Sequence, residues 1–198
     1  NSNLFFLNTS GELYSINYSN QGINWFSNLK MKGLKRESSI FSSSPLILKD
    51  SHLIASNNAL IIKFDSLSGR IVWEKNISAN LKGVLTKDNL FLYTTNNLLI
   101  CIDLNNGQVV WSKDIYNQIE NLYGKKTYRR IKKISQISIA DNKIFLFSRE
   151  GYLLTFNYKN GIIKSVDRIL KSGLGSTPIF VNGYMYSLDK NNRLFQFK

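Results

Sequence analysis

The chain has 198 residues, enough for a sizeable core, and its 43% hydrophobic and 13% aromatic content excludes a disordered segment. Lys and Arg number 26 against 13 Asp and Glu, a net charge of +13; this suits an anionic partner, but the basic residues are mostly scattered, as compositional drift leaves them. No apolar run approaches the roughly 20 residues of a membrane span, and the single cysteine, Cys101, excludes an internal disulfide.

Taken in chain order, one hairpin pattern recurs. Residues 15–29, SINYSNQGINWFSNL, place Asn17 eight residues before Trp25, with Gly22 one position late. Residues 61–77, IIKFDSLSGRIVWEKNI, give the full pattern of Asp65, Gly69 and Trp73, and residues 98–115 repeat it as Asp103, Gly107 and Trp111. Residues 155–169 keep Asn157 and Gly161 but carry Ser165 in place of Trp; a fifth copy starts at Ser176 and stops at Lys198 within its third strand. The Asp or Asn side chain accepts from turn amides, and the Gly takes positive φ at no steric cost. The large aromatic is expected to fill the same gap between successive repeats.

Each of the three central repeats holds four short runs of β-branched and aromatic residues closed by Asn, Asp or Gly. The expected strands are 45–48, 52–55, 60–64 and 70–74; then 83–86, 90–94, 98–102 and 108–112; then 136–140, 143–148, 152–157 and 162–166. Four antiparallel strands per repeat of about 40 residues is the signature of a β-propeller blade. The whole chain, 1–198, reads as one partial propeller domain, with blades near 1–29, 44–77, 81–115, 134–169 and 176–198.

The spacing is uneven: Trp25 to Trp73 is 48 residues, Trp73 to Trp111 is 38, and Trp111 to Ser165 is 54. The excess falls in two basic inter-blade connections, residues 30–43 and 116–133. No window shows helical periodicity, so both read as loops. The second concentrates Lys125, Lys126, Arg129, Arg130, Lys132 and Lys133 within nine residues, with Tyr123 and Tyr128 among them. It is either a solvated insertion or a docking loop for an acidic protein surface or an anionic membrane surface.

The Asp-x-x-x-Gly-x-x-x-Trp repeat resembles the quinoprotein-type (PQQ-like) propeller repeat. Residues 64–77 (FDSLSGRIVWEKNI), 149–169 (REGYLLTFNYKNGIIKSVDRI) and 175–198 (GSTPIFVNGYMYSLDKNNRLFQFK) are similar to a non-enzymatic branch of it, the BamB lipoproteins of the bacterial outer-membrane β-barrel assembly machinery. The resemblance implies an all-β partial ring, about four to five blades of a probable eight, forming the C-terminal half. It implies a protein-binding scaffold with assembly-machinery partners, in the periplasm and attached to the outer membrane through a lipid anchor upstream of Asn1. The alternatives are a PQQ-dependent quinoprotein dehydrogenase fragment, or a propeller that binds an anionic polymer or membrane surface.

The residues favour a non-enzymatic chain. A quinone dehydrogenase needs a carboxylate base and converging Ca²⁺ ligands, whereas Asp65, Asp103, Asp50, Asp88 and Asp141 occupy turn positions. With only His52 and Cys101 there is no zinc pattern and no Cys–His pair; Cys101 reads as a buried structural thiol. Gly173-x-Gly175 opens no helix and so is no nucleotide loop. No catalytic residue, metal site, cofactor, nucleic-acid partner or small-molecule substrate is expected.

Overall fold

The computed structural model describes residues 3–29, 43, 45–57, 59–79, 81–131 and 133–198. Of the connection at 30–43 only Ser43 is described, bridging Asn57.

The described residues form five antiparallel sheets in which strands neighbouring in sequence pair. The first has three strands, β1 (Asn3–Leu7), β2 (Glu12–Asn17) and β3 (Ile23–Asn28). The second has four, β4 (Ile47–Lys49), β5 (His52–Ser56), β6 (Ile61–Asp65) and β7 (Ile71–Lys75). The third comprises β8 (Val84–Leu85), β9 (Asn89–Tyr93), β10 (Leu98–Asp103) and β11 (Val109–Asp114). The fourth comprises β12 (Ile134–Ala140), β13 (Lys143–Ser148), β14 (Tyr152–Asn157) and β15 (Ile163–Arg168). The last has three strands, β16 (Ile179–Val181), β17 (Tyr184–Leu188) and β18 (Leu194–Phe197). Expected and observed strands agree to within two residues, and β13 and β14 match at both ends.

Burial explains the composition of the strands. β5, β6, β9 and β10 are buried on both faces and mostly apolar, Lys63 of β6 and Ser56 of β5 being the buried exceptions, whereas β7 and β11 expose alternate residues. The chain divides into two compact units, residues 1–96 with 102–110 and residues 97–101 with 111–198. The first has a core of Leu13, Leu29, Leu53, Ala55, Leu60, Ile62 and Phe64, against which Trp25 and Ile71 pack. In the second, Phe145 of β13 and Phe180 of β16 stack with centroids 5.2 Å apart.

One expectation is corrected. Residues 116–133 are not a loop: α1 spans Ile115–Ile131, with non-helical angles at Gly124 (φ 80°, ψ 160°). Asp114 caps it, its Oδ1 accepting from the Asn117 amide at 2.9 Å. The buried residues of α1 are few. Ile115, Ile119 and Ile131 are fully buried, and Gly124 separates the first two from the third. That break in phase erases the 3.6-residue period which would have revealed a helix. No described helix is long and apolar enough to cross a membrane.

Candidate functional site

The repeated turn shares one backbone hydrogen bond in three sheets. The amides of Gly69, Gly107 and Gly161 each donate at 2.9 Å to the carbonyl of the residue four before, Asp65, Asp103 and Asn157. The Oδ1 of Asp65 accepts from the amide and hydroxyl of Ser68 at 2.8 and 2.7 Å. Those two bonds, the amide first, hold its carboxyl below the ordinary value. Asp103 accepts from the amides of Asn105 and Asn106, Asn157 from that of Lys159, and Asn17 from that of Ser19.

Each tryptophan lies against the glycine of the following repeat. A Cβ built on Gly69 would stand 2.5 Å from Trp25 Cδ2, one on Gly107 2.8 Å from Trp73 Cδ2, and one on Gly161 2.5 Å from Trp111 Cζ3. The indole N–H of Trp25 donates to the Ser66 carbonyl at 3.1 Å, and that of Trp73 to the Leu104 carbonyl at 2.9 Å. The first sheet separates the two demands on the glycine. There Gln21 takes the fourth turn position with φ 57°, so positive φ alone does not require glycine. At 69, 107 and 161 the indole occupies the space of a side chain, and only glycine leaves it free.

Lys63 of β6 pairs across the ladder with Trp73, is buried, and donates from Nζ to the same Leu104 carbonyl at 2.7 Å. Burial pushes its pKa down against the raising influence of Asp103 and Asp65. In the sequence, a lysine between Ile62 and Phe64 reads as an outward-facing strand residue. Cys101 is buried, and His52 sits on β5 opposite Asp65. Burial, then the charge of Lys63, push the His52 pKa below 6.5.

The basic cluster falls on and just after the second segment of α1. Lys125, Lys126, Arg129, Arg130 and Lys133 are exposed, while Lys132 lies outside the described residues. Lys125 and Arg129, and likewise Lys126 and Arg130, are four apart and so neighbours on the helix surface. Lys125 pairs with Glu120 at 3.4 Å, an exposed contact of little energetic weight. The first segment is anchored. The Gln118 amide donates to the Gly161 carbonyl at 3.1 Å and accepts from the Ile163 N–H at 2.9 Å, and Tyr116 meets Tyr128 edge-on at 4.5 Å across the break. This covers the Ile163 N–H at the start of the edge strand β15, a group that would otherwise invite pairing with another chain.

A family model described as "Outer membrane protein assembly factor BamB" matches residues 1–113. No curated protein sequence matches the chain. Among solved structures the chain is similar to BamB from Moraxella catarrhalis, at 13% identity and a TM-score of 0.71, covering 98% of this chain and 54% of that one. It is also similar to the computationally designed protein Ika8, at 10% identity and a TM-score of 0.70, covering 100% and 55%. A europium-containing methanol dehydrogenase matches at 9% identity and a TM-score of 0.64, covering 98% and 48%. At such identities the likeness is one of fold, the PQQ-like β-propeller, and the chain spans about half the length of these structures.

Proposed function

Since the chain belongs to the outer membrane protein assembly factor BamB family, whose model matches residues 1–113, we propose that it is a non-enzymatic propeller scaffold for protein–protein interaction in outer-membrane β-barrel assembly. The family match carries this reading. The proposal extends to one partial propeller domain over residues 1–198, in the periplasm at the outer membrane, with the lipid anchor that the family resemblance implies. Its partners are proteins of the assembly machinery, and the cations of α1 are a contact surface for an acidic protein or an anionic membrane.

The repeat chemistry supports a structural role for the conserved-spacing positions. The carboxylates of Asp65 and Asp103 are taken up by their own turn amides. The dehydrogenase reading demands converging oxygen ligands for a hard cation. Among the described residues no three His, Cys, Asp or Glu side chains are grouped to hold a metal. Titration with pyrroloquinoline quinone and Ca²⁺, read by fluorescence quenching and followed by an alcohol-oxidation assay, separates the two readings. The scaffold reading expects neither saturation nor turnover; stoichiometric micromolar binding that depends on Ca²⁺ would replace it with an enzyme.

A further inference from the structure

An open pocket of about 550 Å³ lies beside the Gly173–Gly175 segment, and most of the side chains lining it can donate hydrogen bonds. It is lined by Ser135 and Gln136 of β12, Arg149 from the turn after β13, Gly175, Ser176 and Thr177 before β16, and Lys190 from the turn after β17, with Leu174. Gly173, at φ 90°, lets two turns close on the connection: a Cβ there would stand 2.6 Å from the Arg149 carbonyl and 3.0 Å from Lys190 Cε. A Cβ on Gly175 would stand 2.2 Å from the Asp189 carbonyl. The two glycines singled out in the sequence thus serve to bring the turns bearing Arg149 and Lys190 to one place.

Among the described residues neither Arg149 nor Lys190 forms an ion pair, and the lining contains no carboxylate. The nearest acid in sequence to Lys190 is committed elsewhere. Asp189 is 1% exposed and accepts from Ser172 at 2.6 Å and from Arg193 Nε at 2.8 Å. Burial pushes its carboxyl up, but these bonds outweigh it and hold the group far below the carboxylate range. Glu150, next to Arg149, does not line the pocket. Ser176 Oγ accepts from the Leu188 amide at 3.3 Å, which leaves its own proton available to a further acceptor.

We propose that this pocket binds the carboxylate side chains of an acidic, extended segment of a protein partner. The protein nature of the partner rests on the scaffold reading above; the carboxylate chemistry rests on the wall. A guanidinium accepts a carboxylate bidentately, an ammonium adds a point charge, and the hydroxyls satisfy the remaining lone pairs. The volume suits a few side chains of an extended strand, within the range of ordinary ligand pockets.

The test uses the full chain and a fluorescein-labelled hexapeptide alternating aspartate and glycine, read by anisotropy at low and physiological salt. The expected result is saturable binding, weakened by about tenfold or more when asparagine replaces aspartate. The Arg149→Gln/Lys190→Gln variant should lose a similar factor. Lys49→Gln/Arg70→Gln, which removes the same charge at exposed positions outside the pocket lining and outside α1, should change binding less than about twofold. Thr177→Val gives an independent reading from the same wall, and thermal melts check that each variant folds. Equal losses in the two charge variants, or no preference for aspartate over asparagine, would overturn the proposal. So would displacement by inorganic phosphate at concentrations where acetate has no effect, or binding to phosphatidylglycerol vesicles that needs Arg149 and Lys190 without any peptide binding. If assembly partners are still captured when the peptide does not bind, the pocket proposal fails and the scaffold reading survives. If the peptide binds as expected and no partner is captured, the scaffold reading fails instead.

Discussion

Replacing Gly107 by Ala tests whether the tryptophan–glycine contact holds successive repeats together. Gly107 sits at φ 71°, where an L side chain costs about 1–2 kcal/mol. The added Cβ would also stand 2.8 Å from Cδ2 and Cγ of Trp73 and 3.0 Å from Lys75 Cε. Trp73 is 7% exposed and tied by its indole N–H to Leu104, so the ring has little room to step aside. Such overpacking adds about 1–3 kcal/mol, for a combined loss of about 2–5 kcal/mol. Gly183 is the control: its φ is 79°, but a Cβ there meets nothing within 4 Å, so Gly183→Ala carries only the conformational cost. Urea melts of both variants give the difference. In a double variant with Trp73→Ala the clash disappears, and the cycle should show a coupling of about 1–3 kcal/mol. If Gly107→Ala costs no more than Gly183→Ala, or if the two changes at 73 and 107 are additive, the contact is incidental and the argument fails.

Lys63→Met keeps the volume and removes a buried ammonium, so its stability should stay within about 1 kcal/mol of the parent, whereas Lys63→Ala should lose about 2–5 kcal/mol by opening a cavity; equal losses in denaturant melts would show that the bond to Leu104 dominates. His52 has a folded pKa below its unfolded 6.5, so the unfolded chain binds the proton more readily; stability should be full above pH 6.5, fall as pH drops below it and level off beneath the folded pKa. His52→Gln should flatten that part of the pH profile, and an unchanged profile would assign it to other groups. Gln118→Ala removes the acceptor of the Ile163 N–H and a donor to Gly161, and should cost about 1–3 kcal/mol, with faster amide exchange at Ile163; unchanged exchange would show that α1 does not guard that edge.

The strands were legible because alternation and turn chemistry are local. Asp65, Gly69 and Trp73 announce their hairpin within nine residues, and β13 and β14 could be bounded from their flanking Asn, Glu and Gly residues alone. What the tryptophans touch was legible only as an expectation, since the meeting of Trp73 with Gly107 depends on how one repeat stacks on the next. Gln21 shows how a local rule misleads: the turn needs positive φ, but glycine is demanded by the neighbouring ring. The helix was missed because its buried residues are interrupted at Gly124, although Asp114 was a readable cap. Lys63 was missed because its partner is a carbonyl 41 residues away. The donor-lined pocket draws residues from 135 to 190, a convergence that no window of sequence displays.

The scaffold assignment is tested most directly by capture with site-specific photocrosslinking. The protein in its native full length carries a crosslinker at Arg149, or separately at Arg129, in living envelopes, and the adducts are identified by mass spectrometry. The account predicts adducts with proteins of the outer-membrane β-barrel assembly machinery from at least one of these positions. Envelopes that give no assembly-protein adduct from either position, while the purified protein oxidises alcohols in the presence of quinone, would contradict it.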